Sequence, residues 1–328
     1  MKLALIGGGL TGATLARELT DSGIDLLWFE KSRGLGGQCS TRRGENGRFD
    51  HGAPYFHAHS DLFQSTVRKW TEQGVASRWD ARCAELKNKK LQEIEVEQTR
   101  YVGIPGMNEL CKFQAGKQLC HFGQRVSKIG WEAEQWLLHF EGDREQTRAD
   151  ALVLTTPPSQ ASDLLAGFHY YQSYLQTIHT DSTWVVLLTL AEPLKCVFDE
   201  IVFSKGPLKK AVRNAGKPER EGKENWVLYG SASWSKQNLE RSAEDACADL
   251  VAFFRDALGE HMPDKMNWTG HRWRYSQASE VNDVAPLIVS DARLFVTGSY
   301  FYGSTLEGAW LAGREAAAVI KKWYAERF

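Results

Sequence analysis

Three glycines at positions 7, 9 and 12 and a glutamate at position 30 are the residues of this 328-residue chain with the plainest chemical use. In the spacing G-x-G-x-x-G, one glycine turns the chain tightly and the second brings backbone against a diphosphate. The third lets the following helix approach its strand. Eighteen residues beyond Gly12, Glu30 stands where a carboxylate accepts hydrogen bonds from a ribose diol. Together these would hold a dinucleotide, with Gly7, Gly9, Leu10, Thr11 and Gly12 lining its phosphates at a helix N-terminus.

Those residues need particular elements around them. "KLALI" (2–6) has the short apolar run of a central parallel strand, and "TGATLARELTDSG" reads as a helix packed through Ala13, Ala16 and Leu19 and stopped by Gly23. "IDLLWFE" (24–30) is the second strand. "KSRGLGGQCSTRR" then supplies Lys31, Arg33, Gly36, Gly37 and Gln38: a glycine pair for close backbone approach, beside basic side chains suited to phosphate. "ALVLTT", ended by Pro157-Pro158, is another apolar strand. Near the C-terminus, a strand over Leu294–Thr297 leads through Gly298 and Ser299 to a helix from about Thr305. That helix carries Leu306 and Ala309 in its first turns and is kept slim by Ala312, Gly313, Ala316 and Ala317. Its N-terminus favours negative charge. The motif G-x-G-x-x-G occurs once, so any nicotinamide nucleotide beyond the resident dinucleotide would enter as a substrate.

Composition narrows the classes. Forty basic and 41 acidic residues give a net charge of −1, which offers no field for nucleic acid. Six cysteines without a CxxC pair read as reduced thiols of a cytoplasmic protein. The start "MKLALIGGGLTGATLA" reads as strand, turn and helix and not as an export signal, because three glycines interrupt its apolar run. "WVVLLTL" (184–190) is a buried strand, far too short to span a membrane. "FDHGAPYFHAHS" places His51, His57 and His59 between Asp50 and Asp61. Imidazoles and carboxylates suit a metal, but ordinary histidines of a loop are the preferred reading, and no metal is expected.

Further aromatic and basic constellations stand in the second half. In "ENWVLYGSASWSKQNL" (224–239), alternation puts Trp226, Leu228 and Gly230 on one strand face and Val227, Tyr229 and Ser231 on the other, with Trp234 near the strand's end. In "HRWRYSQASEV" (271–281), His271, Trp273 and Tyr275 alternate with Arg272 and Arg274. Aromatic faces fit a planar ligand, arginines its phosphates, and core packing is the competing use of each Trp. "SKGPLKKAVRNAGKPEREGKEN" (204–225) reads as a loop plus a short helix, with Lys209, Lys210 and Arg213 either steering an anion or merely solvated. "SAEDACADLVAFFRDALGEHM" (242–262) is a helix with Ala246, Leu250, Phe253, Phe254 and Leu258 in the core. "NKKLQEIEVEQTRYVG" (88–103) reads as a solvated hairpin, with Tyr101 either at the pocket or packed at the surface.

The blocks "EKSRGLGGQCSTRR", "GRFDHGAPYFHAHS", "YVGIPGMNEL", "NWVLYGSASWS", "HRWRYSQ" and "LEGAWLAGREAA" resemble, in order along the chain, those of the bacterial renalase-like flavoproteins of the flavin-containing amine oxidase superfamily. The resemblance implies an α/β fold: a Rossmann-type FAD-binding domain interleaved with an α+β substrate domain. The expected division is 1–60, 103–160 and 282–328 for FAD, and 61–102 and 161–281 for substrate. It implies noncovalent FAD on the residues named above, from Gly7 to Ala309. It also implies an oxidase taking hydride from 2- or 6-dihydro isomers of NAD(P)H, with O2 reduced to H2O2. Tyr229, Trp234, His271 and Trp273 are the candidate catalytic residues. The alternatives are oxidation of an amine or a biosynthetic intermediate, and a flavin-binding protein without turnover. The chain departs from the resemblance at Gln38 (usually arginine), Pro54 (usually glutamine), Tyr229 (often histidine) and Ser299 (usually aspartate).

Overall fold

A computed structural model describes residues 1–277 and 284–326. By contacts the chain separates into two compact units, Met1–Gly37, Leu110–Thr180 and Gln277–Phe328 in the first, and Gln38–Glu109 and Asp181–Ser276 in the second. The first crossing therefore falls at Gly37, not at residue 60. The hairpin of strands Thr41–Gly44 and Gly47–Asp50 follows that crossing, and its Asp50 bonds to Asn214, Lys217 and Arg220 of the second unit. The remaining crossings lie at 109 and 180 in place of 103 and 160. The end of "HRWRYSQASEV" and the expected boundary at 281 lie outside the described residues.

The first unit is built on a six-stranded sheet in the order Leu287–Val289, Leu294–Val296, Ala151–Leu154, Lys2–Ile6, Asp25–Phe29, Cys120–His121. All neighbours are parallel except the Leu287–Val289 edge strand. Lys2–Ile6 sits between strands that the chain reaches in opposite directions, so its C-terminal end is the switch point where parallel α/β sheets bind ligands. Leu3, Ala4 and Leu5 are fully buried, as their unbroken apolar run requires. Helix Leu10–Glu18 follows at once and ends earlier than its sequence pattern, on the cap residue Leu19. Gly23, with φ of 74°, turns the chain into the next strand. Helix Leu306–Ala325 packs on helix Leu10–Glu18. A three-stranded antiparallel sheet, Val126–Glu132, Gln135–Phe140 and Thr147–Ala149, completes the core with Trp136 at its centre.

The second unit is a seven-stranded sheet in the order Met266–Trp273, Thr183–Leu190, Glu224–Gly230, Leu208–Arg213, Glu200–Phe203, Cys83–Lys87, Lys90–Ile94. Its apolar face, with Trp184, Val186, Leu188, Trp226 and Leu228, packs on Ala246, Leu250 and Phe254 of helix Ala243–Leu258. Phe253 joins that core from a partly buried position. Register places Val185 opposite both Tyr229 and His271, so these three share the other face. The segment 204–225 is a correction. It forms the strand Leu208–Arg213 and a short 3-10 turn at Asn214–Gly216, with no α-helix. Among the described residues no helix is long and apolar enough to cross a membrane, and no disulfide joins the cysteines.

Candidate functional site

In the first unit, the loop after Lys2–Ile6 is tight for stated steric reasons. Gly7 has φ of 121°, and a Cβ there would stand 2.5 Å from Thr155 Oγ1. A Cβ on Gly12 would stand 2.2 Å from the Gly7 carbonyl, so only glycine lets helix Leu10–Glu18 begin against its strand. At Gly9, by contrast, an added Cβ would meet only Gly37 Cα, at 3.9 Å. Gly9 caps the helix without any side-chain hydrogen bond, leaving the first-turn N–H groups to a ligand. Leu10 and Thr11 are buried, so Leu10 offers its backbone and not its side chain. The second glycine pair joins the first directly, because the Gly36 N–H donates to the Gly8 carbonyl at 2.9 Å and Gly36 bridges Gly9.

Glu30 follows strand Asp25–Phe29 and is buried. Its carboxylate accepts from Gly8 N–H at 2.5 Å and from Ser32 N–H at 2.7 Å, which fixes it beside the glycine loop with lone pairs to spare for a ribose diol. Lys31 donates to Gln160 at 3.0 Å and Arg33 is exposed. Gly298 is buried in extended backbone, Ser299 opens a 3-10 turn, and Thr305 caps helix Leu306–Ala325 by accepting from Gly308 N–H at 2.9 Å. Leu306 is buried and Ala309 is partly so. The cradle left by the glycines, the uncapped helix and the oriented carboxylate fit a dinucleotide.

In the second unit the structure brings His51, His271 and Trp273 together. His51 stacks on Trp273 at 5.4 Å and 28°, and His271 meets the His51 ring edge-on at 4.6 Å and Trp273 at 4.8 Å. Trp273 Nε1 donates to the His51 carbonyl at 2.8 Å, and Tyr229 donates its hydroxyl to the Asp50 carbonyl at 2.8 Å. Two strands of the sheet thus pin two consecutive carbonyls. Burial, then the positive charge of Arg42, holds His51 down to about 4, against the weaker pull of the Phe49 and Ser40 carbonyls and of Asp50. Burial, then His51 and Arg42, holds His271 down to about 4 as well. Both imidazoles are therefore neutral near pH 7.

Beside Tyr229 lie two buried carboxylates, each between two cations. Asp50 bonds Lys217 at 2.9 Å and Arg220 at 2.7 Å, and also accepts from Thr41 at 2.7 Å. Burial opposes its ionisation, but Lys217 and Arg220 outweigh that and hold it well below the usual carboxylate range. Burial pushes Lys217 down to about 8 despite Asp50. Glu200 bonds Arg100 at 2.5 Å and Lys210 at 3.2 Å, and accepts from the Tyr55 hydroxyl at 2.9 Å. Arg100 and Lys210 flank the Tyr55 ring at 4.3 and 4.4 Å. Apart from Lys210, and Asp50 as part of a disfavoured metal set, none of these charged residues was marked as functional by sequence reasoning. The faint signal was the alternation Leu208, Lys210, Val212 in a segment dominated by charge.

Other expected site residues are placed differently. Trp226 is fully buried in the apolar core, its indole N–H spent on Glu224, so that face is closed to any planar ligand. Trp234 lies on helix Ala232–Gln237 and packs against the same core, away from Tyr229 and His271. Arg274 is paired with Glu240 at 2.7 Å and Arg272 with Glu240 at 3.5 Å, because their strand face turns toward that acid. Neither is spare for phosphate. Tyr229 is buried to 7% exposure and acts as a donor to backbone, so it has no open face for substrate. Gln38 uses its side-chain amide on the carbonyls of Ser276 and Tyr275. Tyr101 packs on Phe56 at 5.7 Å. Among the described residues no group of three or more His, Cys, Asp or Glu could hold a metal ion.

Residues 5–70 match the family model of NAD(P)-binding Rossmann-like domains, and residues 89–321 that of flavin containing amine oxidoreductases. The fold is similar to a putative protoporphyrinogen oxidase from Exiguobacterium sp. 255-15, at 12% identity and a TM-score of 0.73, over 98% of each chain. It is similar to cyclohexylamine oxidase from Brevibacterium oxydans IH-35A, at 13% identity and 0.70, over 98% of each chain. A double mutant of putrescine oxidase matches at 12% and 0.70, over 98% of this chain and 99% of that one. The chain belongs to the flavin-containing amine oxidoreductase family. Its cofactor is FAD, held noncovalently, and it is an FAD-dependent oxidoreductase.

Proposed function

We propose that this protein is a renalase-like oxidase, removing hydride from the 2- or 6-dihydro isomers of NAD(P)H to give NAD(P)+, with O2 reduced to H2O2. When bound, the flavin accepts the hydride and returns two electrons to oxygen. The remaining work falls to the chain. The Gly7–Gly12 loop and Glu30 bind the cofactor's diphosphate and ribose. His51, His271 and Trp273 present a flat, neutral surface to the substrate ring. Orientation and water exclusion supply the rate, since a dihydropyridine needs no general base.

The observation that carries this reading is the sign of charge around Tyr229 and the histidine pair. Two carboxylates face four cations, and Arg42 adds a fifth near the imidazoles, so among these described groups positive charge is in excess. That surroundings suits a phosphorylated donor and repels an ammonium ion. Amine oxidation is the second reading, and the structural likeness to cyclohexylamine oxidase favours it. The protein is taken to act in the cytoplasm on small molecules, without nucleic acid or membrane. The test is stoichiometry in air: a 2- or 6-dihydro isomer should yield one NAD(P)+ and one H2O2 per O2 consumed. Electrons passed only to an added quinone or protein acceptor would contradict an oxidase.

A further inference from the structure

We infer that the His51–His271 pair reads the carboxamide of the nicotinamide ring, an assignment that rests on the dihydronicotinamide reading above. A neutral imidazole carries one donor and one acceptor. A primary amide carries the complementary acceptor and donors. His271 is partly exposed and edge-on to the more deeply buried His51, so it can meet a ligand. His51 is 6% exposed, and its buried Nδ1 makes no well-aligned hydrogen bond, although the Phe49 and Ser40 carbonyls lie near the ring. A buried polar nitrogen left unsatisfied costs stability unless a ligand or water completes it.

The alternatives fit less well. An ammonium group needs a carboxylate, and the adjacent Asp50 is already spent on Lys217 and Arg220. A carboxylate would find no cation in the pair itself, because both imidazoles lack the proton that would make them cations. Trp273 has used its only donor on the His51 carbonyl, so it offers a ring face and no polar group. The pair is therefore the polar feature of an otherwise flat aromatic surface, and it is held rigidly. Tyr229 fixes the Asp50 carbonyl and Trp273 the next one, which sets the His51 ring.

The test uses the FAD-loaded enzyme and three oxidised probes, with binding followed by calorimetry and by the visible flavin spectrum. The probes are NAD+, its 3-acetylpyridine analogue, which lacks the amide N–H groups, and nicotinic acid adenine dinucleotide, which carries a carboxylate. NAD+ should bind about tenfold more tightly than either analogue. His271→Leu should bring the three within about twofold, while His271→Gln, whose amide also donates and accepts, should keep most of the preference. Equal binding of the probes to the unaltered enzyme overturns the inference, as does tighter binding of the carboxylate or no binding of NAD+. A preference that survives His271→Leu does so too. If dihydronicotinamide isomers reduce the flavin but His271→Leu leaves the ratio intact, only the pair's role falls. If amines reduce it and the isomers do not, the substrate reading falls.

Discussion

A carboxylate sealed from water between a lysine and an arginine has three charges to stabilise and only protein groups to do it. At Asp50 the geometry is complete enough for that, with bonds of 2.7 to 2.9 Å from Arg220, Lys217 and Thr41. Removing the acid while leaving the cations should therefore be severe. Asp50→Asn should destabilise the protein by about 3–5 kcal/mol, read from the urea midpoint at pH 7. His51 gives a pH dependence of known sign. Its folded value of about 4 lies below the unfolded 6.5, so the unfolded chain binds the extra proton. Stability is then complete above about 6.5 and lost as pH falls toward 4. The loss between pH 6.5 and 5 is about 1–2 kcal/mol for His51. His51→Gln should flatten that part of the profile, and an unchanged slope would mean that other groups carry it.

At the scale of elements, how much the sequence revealed depended on whether burial was apolar. Lys2–Ile6 is legible because every residue after Lys2 is buried and apolar. Helix Leu306–Ala325 is legible because its small residues mark a close approach, and it begins where expected, with Thr305 as its cap. The strand Leu208–Arg213 was hidden because Lys210 is neutralised by Glu200, a residue beyond the reach of any local pattern. The same holds for Lys217 and Arg220, which read as loop charges and are buried. Trp234 and the two arginines after His271 had the right chemistry, but their faces were decided by helix Ala232–Gln237 and by Glu240. Packing of helix on helix gives the sharpest prediction at this level. A Cβ on Gly313 would stand 2.5 Å from the Thr11 carbonyl and 2.6 Å from Thr14 Cβ. Gly313→Ala should cost about 1–3 kcal/mol by overpacking, lower the melting temperature and release FAD, because helix Leu10–Glu18 must shift. A variant that melts and binds FAD as before would show that the helices yield freely.

Over the whole molecule, charge nearly cancels at −1, yet its distribution is uneven. The second unit gathers Arg100, Lys210, Lys217 and Arg220 against Asp50 and Glu200 near Tyr229. The first unit keeps a glycine cradle with Glu30 fixed beside it. Family membership and FAD follow from the whole chain, and the choice of substrate is the claim that rests on this local charge and on the neutral histidines. Anaerobic mixing of the FAD-loaded enzyme with single substrates tests it most directly. The 2- or 6-dihydro isomers of NAD(P)H should bleach the flavin at least a hundredfold faster than ordinary NAD(P)H, since misplacing the donor carbon by about 1 Å costs about that much. Cyclohexylamine and putrescine should leave it yellow. Rapid bleaching by the amines, with every dihydronicotinamide inert, would contradict the account.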